Sequence, residues 1–358
     1  MIFSKYMKKT VTYFGTYESN YPRNRQIIDY LNKNENIVNI CHVAICEKCN
    51  SKLGNLFRIN AFIHLILKYG YGYILLLVKY LRKHIKSNEL FVGYIGQLDV
   101  IVIWPFTRIF KQKLVFNTLI SLHDTLVNDR RLFRPNSIIA KALWILDWLS
   151  YHLSDEIIID TYAQKDFLKK TFSLKTKKIS VIPVRAESIF QPIKPNIQFQ
   201  NSNKFLLLFY GKFTPLHGID VILSAMKILQ DKGLDDIQLL LIGSGQCDGD
   251  MRKLSEELLL KNTKWIEWIE YEDLPHMICN SNLCLGVFGP SNKAKRVIPN
   301  KVVQVLQCGK KIITQNVLYQ IDRPLDRNLI EIEPTPFLLA NAIEKEYKNN
   351  VINFSPKF

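Results

Sequence analysis

The sequence is short of acidic residues. It has 32 Asp and Glu against 48 Lys and Arg, a net charge of +16. The shortage is uneven, because residues 1–190 hold 28 of the basic and only 14 of the acidic residues. Such a surplus calls for an anionic partner, either phospholipid headgroups or nucleic acid. The basic residues follow no known nucleic-acid reader motif, so we expect an anionic membrane surface and no nucleic acid.

A long apolar run is also lacking in the most hydrophobic region, residues 59–86. Its longest uncharged stretch, Tyr69–Val78, has ten residues, whereas about twenty are needed to cross a bilayer. A helix lying on an anionic membrane surface fits better, and a core helix with a solvated basic end is the alternative. The cations that would meet the headgroups are Lys79, Arg82, Lys83 and Lys86.

Cysteine is sparse, with seven in 358 residues. An odd number in a chain without a recognisable leader predicts reduced thiols in a cytoplasmic protein, here one attached peripherally to the inner face of the cell membrane. Cys41, His42, Cys46 and Cys49 have partly zinc-like spacing, but no distant second pair accompanies them. An ordinary strand end and loop is the preferred interpretation, and we expect no bound metal.

Glycine is scarce as well, at 15 residues. The stretch IQLLLIGSGQ predicts a buried strand, Ile237–Ile242, followed by Gly243 and Gly245. These two glycines would let a ligand approach the backbone closely. The third glycine of a dinucleotide fingerprint is missing, so this motif alone is weak.

A more informative pattern begins at the apolar run Phe205–Phe209, which predicts a buried parallel strand ending at Gly211. Lys212 and His217 flank the following turn, and Gly218 leads into an amphipathic helix. A strand, a tight turn and a helix N-terminus together form an anion site, because unpaired N–H groups and the helix dipole point at the ligand.

A second helix start follows in RVIPNKVVQVLQCGKK, after a predicted strand that ends at Gly289. Pro299 or Asn300 would begin this helix and Gly309 would end it. Lys301 would then lie in the first turn, with Gln304 one turn on and on the same side. Two cationic helix starts facing one crevice would hold a diphosphate.

The motif order Gly-Lys-Phe-x-Pro-x-His-Gly, Ile-Gly-Ser-Gly and Pro-Asn-Lys-x-x-Gln-x-x-x-x-Gly-Lys resembles the family-4 retaining glycosyltransferases of GT-B architecture, also described as glycosyl transferases group 1. The resemblance is closest over residues 203–316. It implies an α/β fold of two Rossmann-like domains facing across a cleft. It also implies a nucleotide-diphosphate sugar as co-substrate, with no cofactor.

The resemblance assigns roles to several donor-side residues. Lys212 matches the basic residue that contacts the donor phosphates, and His217 stands where the family usually has a second lysine. Gln304 matches the second glutamate of the family's acidic pair, which usually holds the ribose, whereas Arg296 replaces the first. A glutamine can still bond a ribose hydroxyl, but an arginine cannot act as a carboxylate. Lys212, His217, the Asn300-Lys301 helix start and loop N–H groups would stabilise the departing diphosphate without a metal.

The remaining implied residues have open alternatives. Gly15, Thr16 and Tyr17 are acceptor-side candidates, although Tyr17 would equally pack in the core. His123 matches the family's cleft histidine, which contacts the transferred sugar, but a lone histidine is often structural. Tyr271 would stack on the base or pack against a tryptophan. The roles of four residues stay open: Asp129, Arg130, Arg185 and Glu187.

We expect domains at residues 1–190 and 205–358, joined by a linker over residues 191–204. Within the first domain, FVGYIGQLDVIVIWP predicts one or two strands. Within the second, the sequence predicts a helix with Pro336 in its first turn, and the resemblance to GT-B chains implies that this helix returns to the first domain.

These features together predict a hexosyltransferase that uses a nucleotide-sugar donor and a lipid-linked or saccharide acceptor in surface polysaccharide or glycolipid assembly. Retention of anomeric configuration follows from the resemblance alone. The alternatives are a nucleotide-sugar epimerase or hydrolase on the same fold, and a non-catalytic, membrane-docked subunit that binds the donor.

Overall fold

The computed structural model describes residues 9–34, 36–45, 59–194, 204–316 and 327–354. Their packing divides the chain into two compact units. Unit 1 comprises Met1–Val127 and Phe133–Pro183, and unit 2 comprises Asn128–Leu132 and Val184–Phe358. Cys46, Cys49 and most of the expected linker lie outside the described residues, so the boundaries at 190 and 204 stay predictions.

Unit 1 is a parallel sheet in the order β2-β1-β3-β4-β5-β6, with helices between the strands. Its apolar strands pack under the helices as the alternating strand and helix pattern of the sequence predicts. The elements are β1 (Thr10–Gly15), α1 (Pro22–Lys33), β2 (Ile37–His42), α2 (Ile59–Lys83), β3 (Glu89–Val92), α3 (Gln97–Ile109), β4 (Lys113–Asn117), α4 (Ile138–Leu153), β5 (Glu156–Ile159), α5 (Tyr162–Thr171) and β6 (Lys178–Val181).

Helix α3 corrects one prediction, because the stretch DVIVIWP is helical instead of extended. Its β-branched residues favour a strand locally. However, β3 and β4 are parallel neighbours, and parallel strands need a crossover of a dozen or more residues. Val100, Ile103 and Thr107 are buried at helical spacing on that crossover, so tertiary packing overrides the local preference.

Unit 2 is a second parallel sheet, in the order β12-β11-β10-β7-β8-β9. Its strands carry continuous apolar runs because helices cover them. The elements are β7 (Phe205–Tyr210), α6 (Ile219–Asp231), β8 (Ile237–Ile242), α7 (Asp248–Glu257), β9 (Thr263–Ile266), α8 (Leu274–Asn280), β10 (Leu283–Leu285), α9 (Asn300–Gln307), β11 (Ile312–Gln315), β12 (Leu329–Ile332) and α10 (Pro336–Phe354).

The end of β10 differs from the prediction, and the start of α10 agrees with it. Strand β10 stops at Leu285, and residues 286–289 form a loop. Helix α10 begins at Pro336 as predicted, but Leu339, Ala340 and Ile343 are buried in the core of unit 2. These residues of the helix therefore pack within unit 2, and a return of the chain to the first domain stays a prediction.

The strand orders locate the crevices where ligands bind. In unit 2 the chain runs outward from β7 through β8 to β9, and outward on the other side from β10 to β12. Open parallel sheets bind ligands at the carboxyl ends of the strands where this order reverses. The candidate crevices are therefore after β7 and β10 in unit 2, and after β1 and β3 in unit 1.

Candidate functional site

The turn after β7 is fixed against the loop after β10. A single 3-10 turn, Pro215–His217, leads to Gly218, which has φ of 61°. A Cβ atom at Gly218 would lie 2.4 Å from the carbonyl carbon of Phe288, so only glycine fits. The amide of Phe288 donates to the carbonyl of His217 at 3.0 Å. The turn after β7 and the loop after β10 thus pack directly against each other.

Lys301 extends from the first turn of α9 to these two loops. Its side chain is buried, with 5% exposed. The ammonium nitrogen lies 3.5 Å from the centroid of the Phe209 ring and 3.4 Å from the carbonyl oxygen of Gly286. Burial holds the pKa of Lys301 well below its usual value. An anion bound beside this buried amine would favour its protonated form, so the position is suited to an anionic ligand.

Gly211, His217 and Lys301 converge at the end of β7. A Cβ atom placed on Gly211 would lie 3.5 Å from Lys301 Nζ and 3.9 Å from His217 Cε1. Lys212 is exposed at the same turn. The structure therefore brings together the residues that the sequence predicted for the donor diphosphate, although their contact with a donor stays a prediction.

The charge of His217 differs from the expected one. Its Nδ1 lies 3.2 Å from Thr214 Oγ1, and its ring packs edge-on against Phe209. Burial, followed by the charge of Lys301, holds the pKa of His217 well below its usual value. His217 is therefore neutral at pH 7 and can offer a hydrogen bond, but it does not supply the second positive charge.

Helix α9 presents an uncapped N-terminus to the same place. Pro299 occupies the N-cap position and makes no side-chain capping bond. The N–H groups of Asn300 and Lys301 precede the first intrahelical bond, so the helix leaves them for an external acceptor. The predicted start at Asn300 and the shared burial of Lys301 and Gln304 are both observed.

Gly243 and Gly245 pack the turn after β8 against the turn after β7. A Cβ atom on Gly243 would lie 2.0 Å from the Gly211 carbonyl oxygen, and one on Gly245 would lie 2.7 Å from that of Phe213. The amide of Phe213 donates to Ser244 at 3.0 Å. Close packing of the two turns explains both glycines, and their contact with a donor stays a prediction.

Gln304 lies in a chain of internal hydrogen bonds. Tyr210 donates to Gln304 Oε1 at 3.0 Å, and Gln304 Nε2 donates to the Tyr271 hydroxyl at 3.0 Å. Tyr271 in turn donates to Glu187 Oε2 at 2.5 Å. The amide of Gln304 thus bonds to two tyrosines, and its contact with a ribose stays a prediction.

Tyr271 is held by a neighbouring ring and by the same chain of hydrogen bonds, and stacking of its ring on the base stays a prediction. Its ring packs edge-on against Phe190, with centroids 5.6 Å apart, and its hydroxyl is engaged in the chain above. Trp265 instead packs against Phe213, and Trp268 is 74% exposed.

Segment 128–132 adds charged groups to unit 2. Gln246 Nε2 donates to the Arg130 carbonyl at 2.8 Å, and Lys293 Nζ lies 4.0 Å from Asp129 Oδ2. The charges of Arg130 and Lys293 further lower the pKa of His217. The region around His217 is therefore strongly cationic. Arg296 lies three residues beyond Lys293 in a turn, and its donor role stays a prediction.

The sequence contains one Asp-x-Asp triplet, Asp248-Gly249-Asp250, in the first turn of α7. Arg252 Nε donates to the Asp248 carboxylate at 3.2 Å, an i,i+4 pair within the helix. Among the residues that the structure describes, no three His, Cys, Asp or Glu side chains form a group able to hold a metal ion.

In unit 1 the turn after β1 is held by a buried carboxylate. The amide of Thr16 donates to Asp99 Oδ2 at 2.8 Å, and Tyr73 donates to Asp99 Oδ1 at 2.9 Å. Burial raises the pKa of Asp99 to about 6. Tyr17 is only 3% exposed and its ring contacts those of Tyr13 and His42. The structure therefore gives Tyr17 a packing role, whereas acceptor roles for Gly15 and Thr16 stay predictions.

His123 follows β4 in unit 1 and is positioned by Asp147 of α4. Asp147 accepts from the His123 amide at 2.9 Å and from the Ser121 hydroxyl at 2.7 Å. Asp147 was not predicted from the sequence, although it is the single acidic residue of the largely apolar helix α4. Contact of His123 with a sugar stays a prediction.

Two Rossmann-like units, each a covered parallel sheet, define the GT-B fold, as predicted. Residues 190–323 match the family model described as glycosyl transferases group 1. This match confirms the predicted resemblance to group 1 glycosyltransferases over those residues. The narrower family-4 retaining assignment stays a prediction.

Solved structures of similar fold extend over nearly the whole chain. A sucrose-phosphate synthase from Thermosynechococcus elongatus aligns with a TM-score of 0.71 at 16% identity, covering 96% of this chain and 90% of that one. HepE from Anabaena, solved in complex with UDP-glucose, aligns with a TM-score of 0.63 at 13% identity, covering 95% and 90%. At these identities the likeness shows the fold alone.

Curated relatives match over shorter stretches. The chitobiosyldiphosphodolichol beta-mannosyltransferase of Debaryomyces hansenii is 26% identical over 186 residues, covering 45% of this chain and 38% of that protein. The protein of the same description from Candida albicans is 23% identical over 167 residues, covering 43% and 36%. The aligned part thus spans well under half of either relative.

Proposed function

We propose that this chain is a glycosyltransferase that moves a hexose from a nucleotide-diphosphate sugar to a lipid-linked saccharide acceptor in surface polysaccharide or glycolipid assembly. The observation that carries the proposal is the buried Lys301 ammonium beside Gly211 and His217, at the uncapped start of α9. Cleavage of the donor's anomeric C–O bond leaves an additional negative charge on the diphosphate. A preorganised, desolvated cation at that position stabilises the charge as it develops.

The other groups of the site have distinct parts in this mechanism. Exposed Lys212 supplies a second cation at the same turn. Neutral His217 supplies a hydrogen bond, and the first N–H groups of α9 add the helix dipole. His123 would contact the transferred hexose, and Gly15 and Thr16 would face the acceptor. No cofactor is needed for this chemistry.

A lipid-linked acceptor is supported by the outer face of α2. Exposed apolar side chains recur along it at helical spacing, and Lys79, Arg82 and Lys83 lie at its C-terminal end, all exposed. This stripe, named here the α2 stripe, comprises Leu67, Tyr71, Ile74, Leu75, Val78 and Leu81. An apolar helix face with a basic end suits the surface of an anionic membrane, here the inner face of the cell membrane.

None of the helices in the described part of the chain is sufficiently long and apolar to cross a membrane. The proposed association is therefore with the membrane surface. The two curated relatives are named as transferring to a diphosphodolichol-linked chitobiose, which agrees with an acceptor carried by a lipid.

Retention of configuration is the finer part of the proposal and rests on the resemblance of residues 203–316. The names of the two relatives specify a beta-mannosyl product and say nothing of the donor's configuration. The one-bond carbon–hydrogen coupling at the new anomeric centre, measured by NMR, tests this part separately. A product of opposite configuration to the donor rejects retention and leaves the transferase proposal intact.

The test of transfer uses the whole chain with a panel of nucleotide sugars and lipid extract. Mass spectrometry should detect a glycosylated lipid together with free nucleoside diphosphate. Lys301→Met should lower kcat at least about 100-fold, the scale of one lost transition-state donor. Lys212→Ala should also lower turnover sharply, although its exposed cation is more screened.

Melting temperatures distinguish a folding defect from a loss of activity, and the products of the same assay distinguish the alternative functions. Lys301→Met should not lower the melting temperature, because it removes a charge that is costly to bury. Lys253→Met, on the exposed face of α7, is the matched control and should retain full activity. An altered sugar without glycosylated lipid would indicate an epimerase or hydrolase. Donor binding without any turnover would indicate a non-catalytic subunit.

A further inference from the structure

The turn after β1 is joined to helix α2 by one buried carboxylate. Asp99 of α3 accepts from the amide and the hydroxyl of Thr16 at 2.8 and 3.1 Å, and from the hydroxyl of Tyr73 at 2.9 Å. A Cβ atom on Gly15, which has φ of 139°, would lie 2.4 Å from Asp99 Oδ2, so the carboxylate packs directly against the turn. Three donors from two elements thus converge on a residue that is 1% exposed.

Helix α2 has two opposite faces. The α2 stripe is exposed, whereas Tyr73, Leu76 and Tyr80 recur at i, i+3 and i+7 on the inner face. Leu76 and Tyr80 are fully buried, and Tyr73 is half-buried with its hydroxyl on Asp99. Because Tyr73 directly precedes Ile74 of the stripe, the same turn of the helix carries an outward apolar group and the inward bond.

A second contact joins α2 to the same turn from the side of β2. Lys79 Nζ donates to the His42 carbonyl at 2.9 Å, and His42 Nε2 donates to the Tyr17 carbonyl at 2.7 Å. The rings of His42 and Tyr17 also pack together, with centroids 4.5 Å apart. Residues 15–17 are therefore connected to α2 twice, once through Asp99 and once through His42.

We propose that Tyr73 and Asp99 are positioning residues, which hold residues 15–17 against α2 so that a membrane surface bound by the α2 stripe orders the turn that receives the lipid-linked acceptor. Binding to the surface restrains α2, and the bonds to Asp99 and His42 transmit that restraint to the turn. This proposal rests on the proposed function, because it assigns the acceptor to that turn. Such positioning matters, since a displacement of about 1 Å costs about 100-fold in rate.

Hydrogen exchange with mass detection tests the connection without any acceptor. The probe is vesicles of anionic phosphatidylglycerol. In the wild type, vesicles should slow exchange at least about threefold in peptides covering residues 67–83 and also in those covering residues 12–18. Tyr73→Phe removes one hydroxyl and keeps the ring. It should retain the protection of residues 67–83 and lose most of that of residues 12–18, while vesicle affinity by co-sedimentation stays within about twofold.

A transfer assay then separates the acceptor from the donor. With lipid extract in the same vesicles, Tyr73→Phe should raise the amount of extract needed for half-maximal turnover at least about tenfold, the scale of one charge-assisted hydrogen bond. Its KM for the nucleotide sugar should stay within about twofold. A general structural defect would instead impair the use of both substrates.

Asp99→Asn is the second variant, because it keeps the shape of the side chain and removes one of the two acceptor oxygens. It should give the same pattern as Tyr73→Phe in both measurements. Tyr30→Phe is the matched control, since it removes the hydroxyl of a tyrosine that is 43% exposed on α1. It should behave like the wild type. Melting temperatures identify any variant that does not fold, and the other variant then decides the test.

The outcomes separate this proposal from the proposed function. If vesicles protect residues 67–83 but not residues 12–18 of the wild type, or protect both equally in Tyr73→Phe, the connection is wrong and the transferase proposal stands. Equal losses toward donor and acceptor would also contradict a positioning role. If the wild type glycosylates no lipid, the proposed function is rejected, and the exchange measurement still decides whether α2 orders the turn.

Discussion

Lys301 shows why residue type alone is a poor guide to a site. In the sequence Lys301, Lys212 and His217 appear as three comparable cations. In the structure, Lys301 is desolvated over the Phe209 ring, Lys212 is exposed, and His217 is neutral because burial and Lys301 lower its pKa. The electrostatic contribution of each group therefore follows from its burial and its neighbours.

Asp99 allows a prediction at the scale of one titrating group. Its pKa of about 6 lies above the ordinary aspartate value of 3.8 because burial penalises the carboxylate. Between these pH values the folded chain holds a proton that the unfolded chain has released. The free energy of unfolding should therefore rise by about 3 kcal/mol as the pH falls from above 6 to below 4.

Asp99→Asn removes this titration and should flatten that part of the profile. The measurement is urea unfolding of wild type and variant across pH 4–8, comparing the difference between the two curves. Asp166→Asn, on α5 away from Asp99, is the control. A difference that is constant over the whole pH range would show that Asp99 is ionised throughout.

At the scale of elements, buried strands were predicted correctly from the sequence, whereas the crossover helix α3 was predicted to be extended. The apolar runs Phe205–Phe209 and Ile237–Ile242 identify buried strands because covered parallel strands are apolar on both faces. Helix α3 was misassigned because its β-branched residues carry a local preference that the crossover overrides. The helix start at Asn300 was predictable, since Pro and Gly mark the two ends of α9.

Side-chain hydrogen bonds explain what the sequence could not show about the site. The partners of Gln304 are 94 and 33 residues away in the chain, and those of His123 and Thr16 are 24 and 83 residues away. Such contacts depend on the packed topology. A pattern predicts that Gln304 faces inward, but only the fold shows that two tyrosines occupy its amide.

The α2 stripe supports a prediction about one helix. Replacing Tyr71 and Ile74, which are 65% and 62% exposed, with serine should weaken binding to vesicles containing anionic phosphatidylglycerol. Replacing Arg82 and Lys83 with glutamine should weaken it by about 30-fold, since each cation contributes about 1 kcal/mol. Binding is measured by vesicle co-sedimentation, with neutral phosphatidylcholine vesicles for comparison.

The control for the α2 stripe is Ile109→Ser, because Ile109 is also exposed, at 69%, but lies on α3. It should bind vesicles like the wild type. Equal losses for this control and the stripe variants would mean that general surface hydrophobicity drives binding. Unchanged binding of the charge variants at low salt would exclude an anionic surface as the partner.

At the scale of the molecule, the two units have separate sheets and separate cores. Unit 2 contains the proposed diphosphate site, and unit 1 contains His123, the Gly15 turn and the α2 stripe. The excess of positive charge follows this division, since residues 1–190 hold most of it. Donor and acceptor functions should therefore respond separately to ligands and to salt.

Hydrogen exchange with mass detection measures this division on the whole chain. A saturating nucleoside diphosphate at 100 times its Kd stabilises the binding-competent fold by about 2.7 kcal/mol. Protection should appear in peptides covering residues 205–218 and 286–309, while those covering β1 and β3 of unit 1 change little. Anionic vesicles should instead protect α2. Uniform protection of both units by the nucleotide alone would show that they respond as one cooperative body, and the separation of donor and acceptor functions would then be wrong.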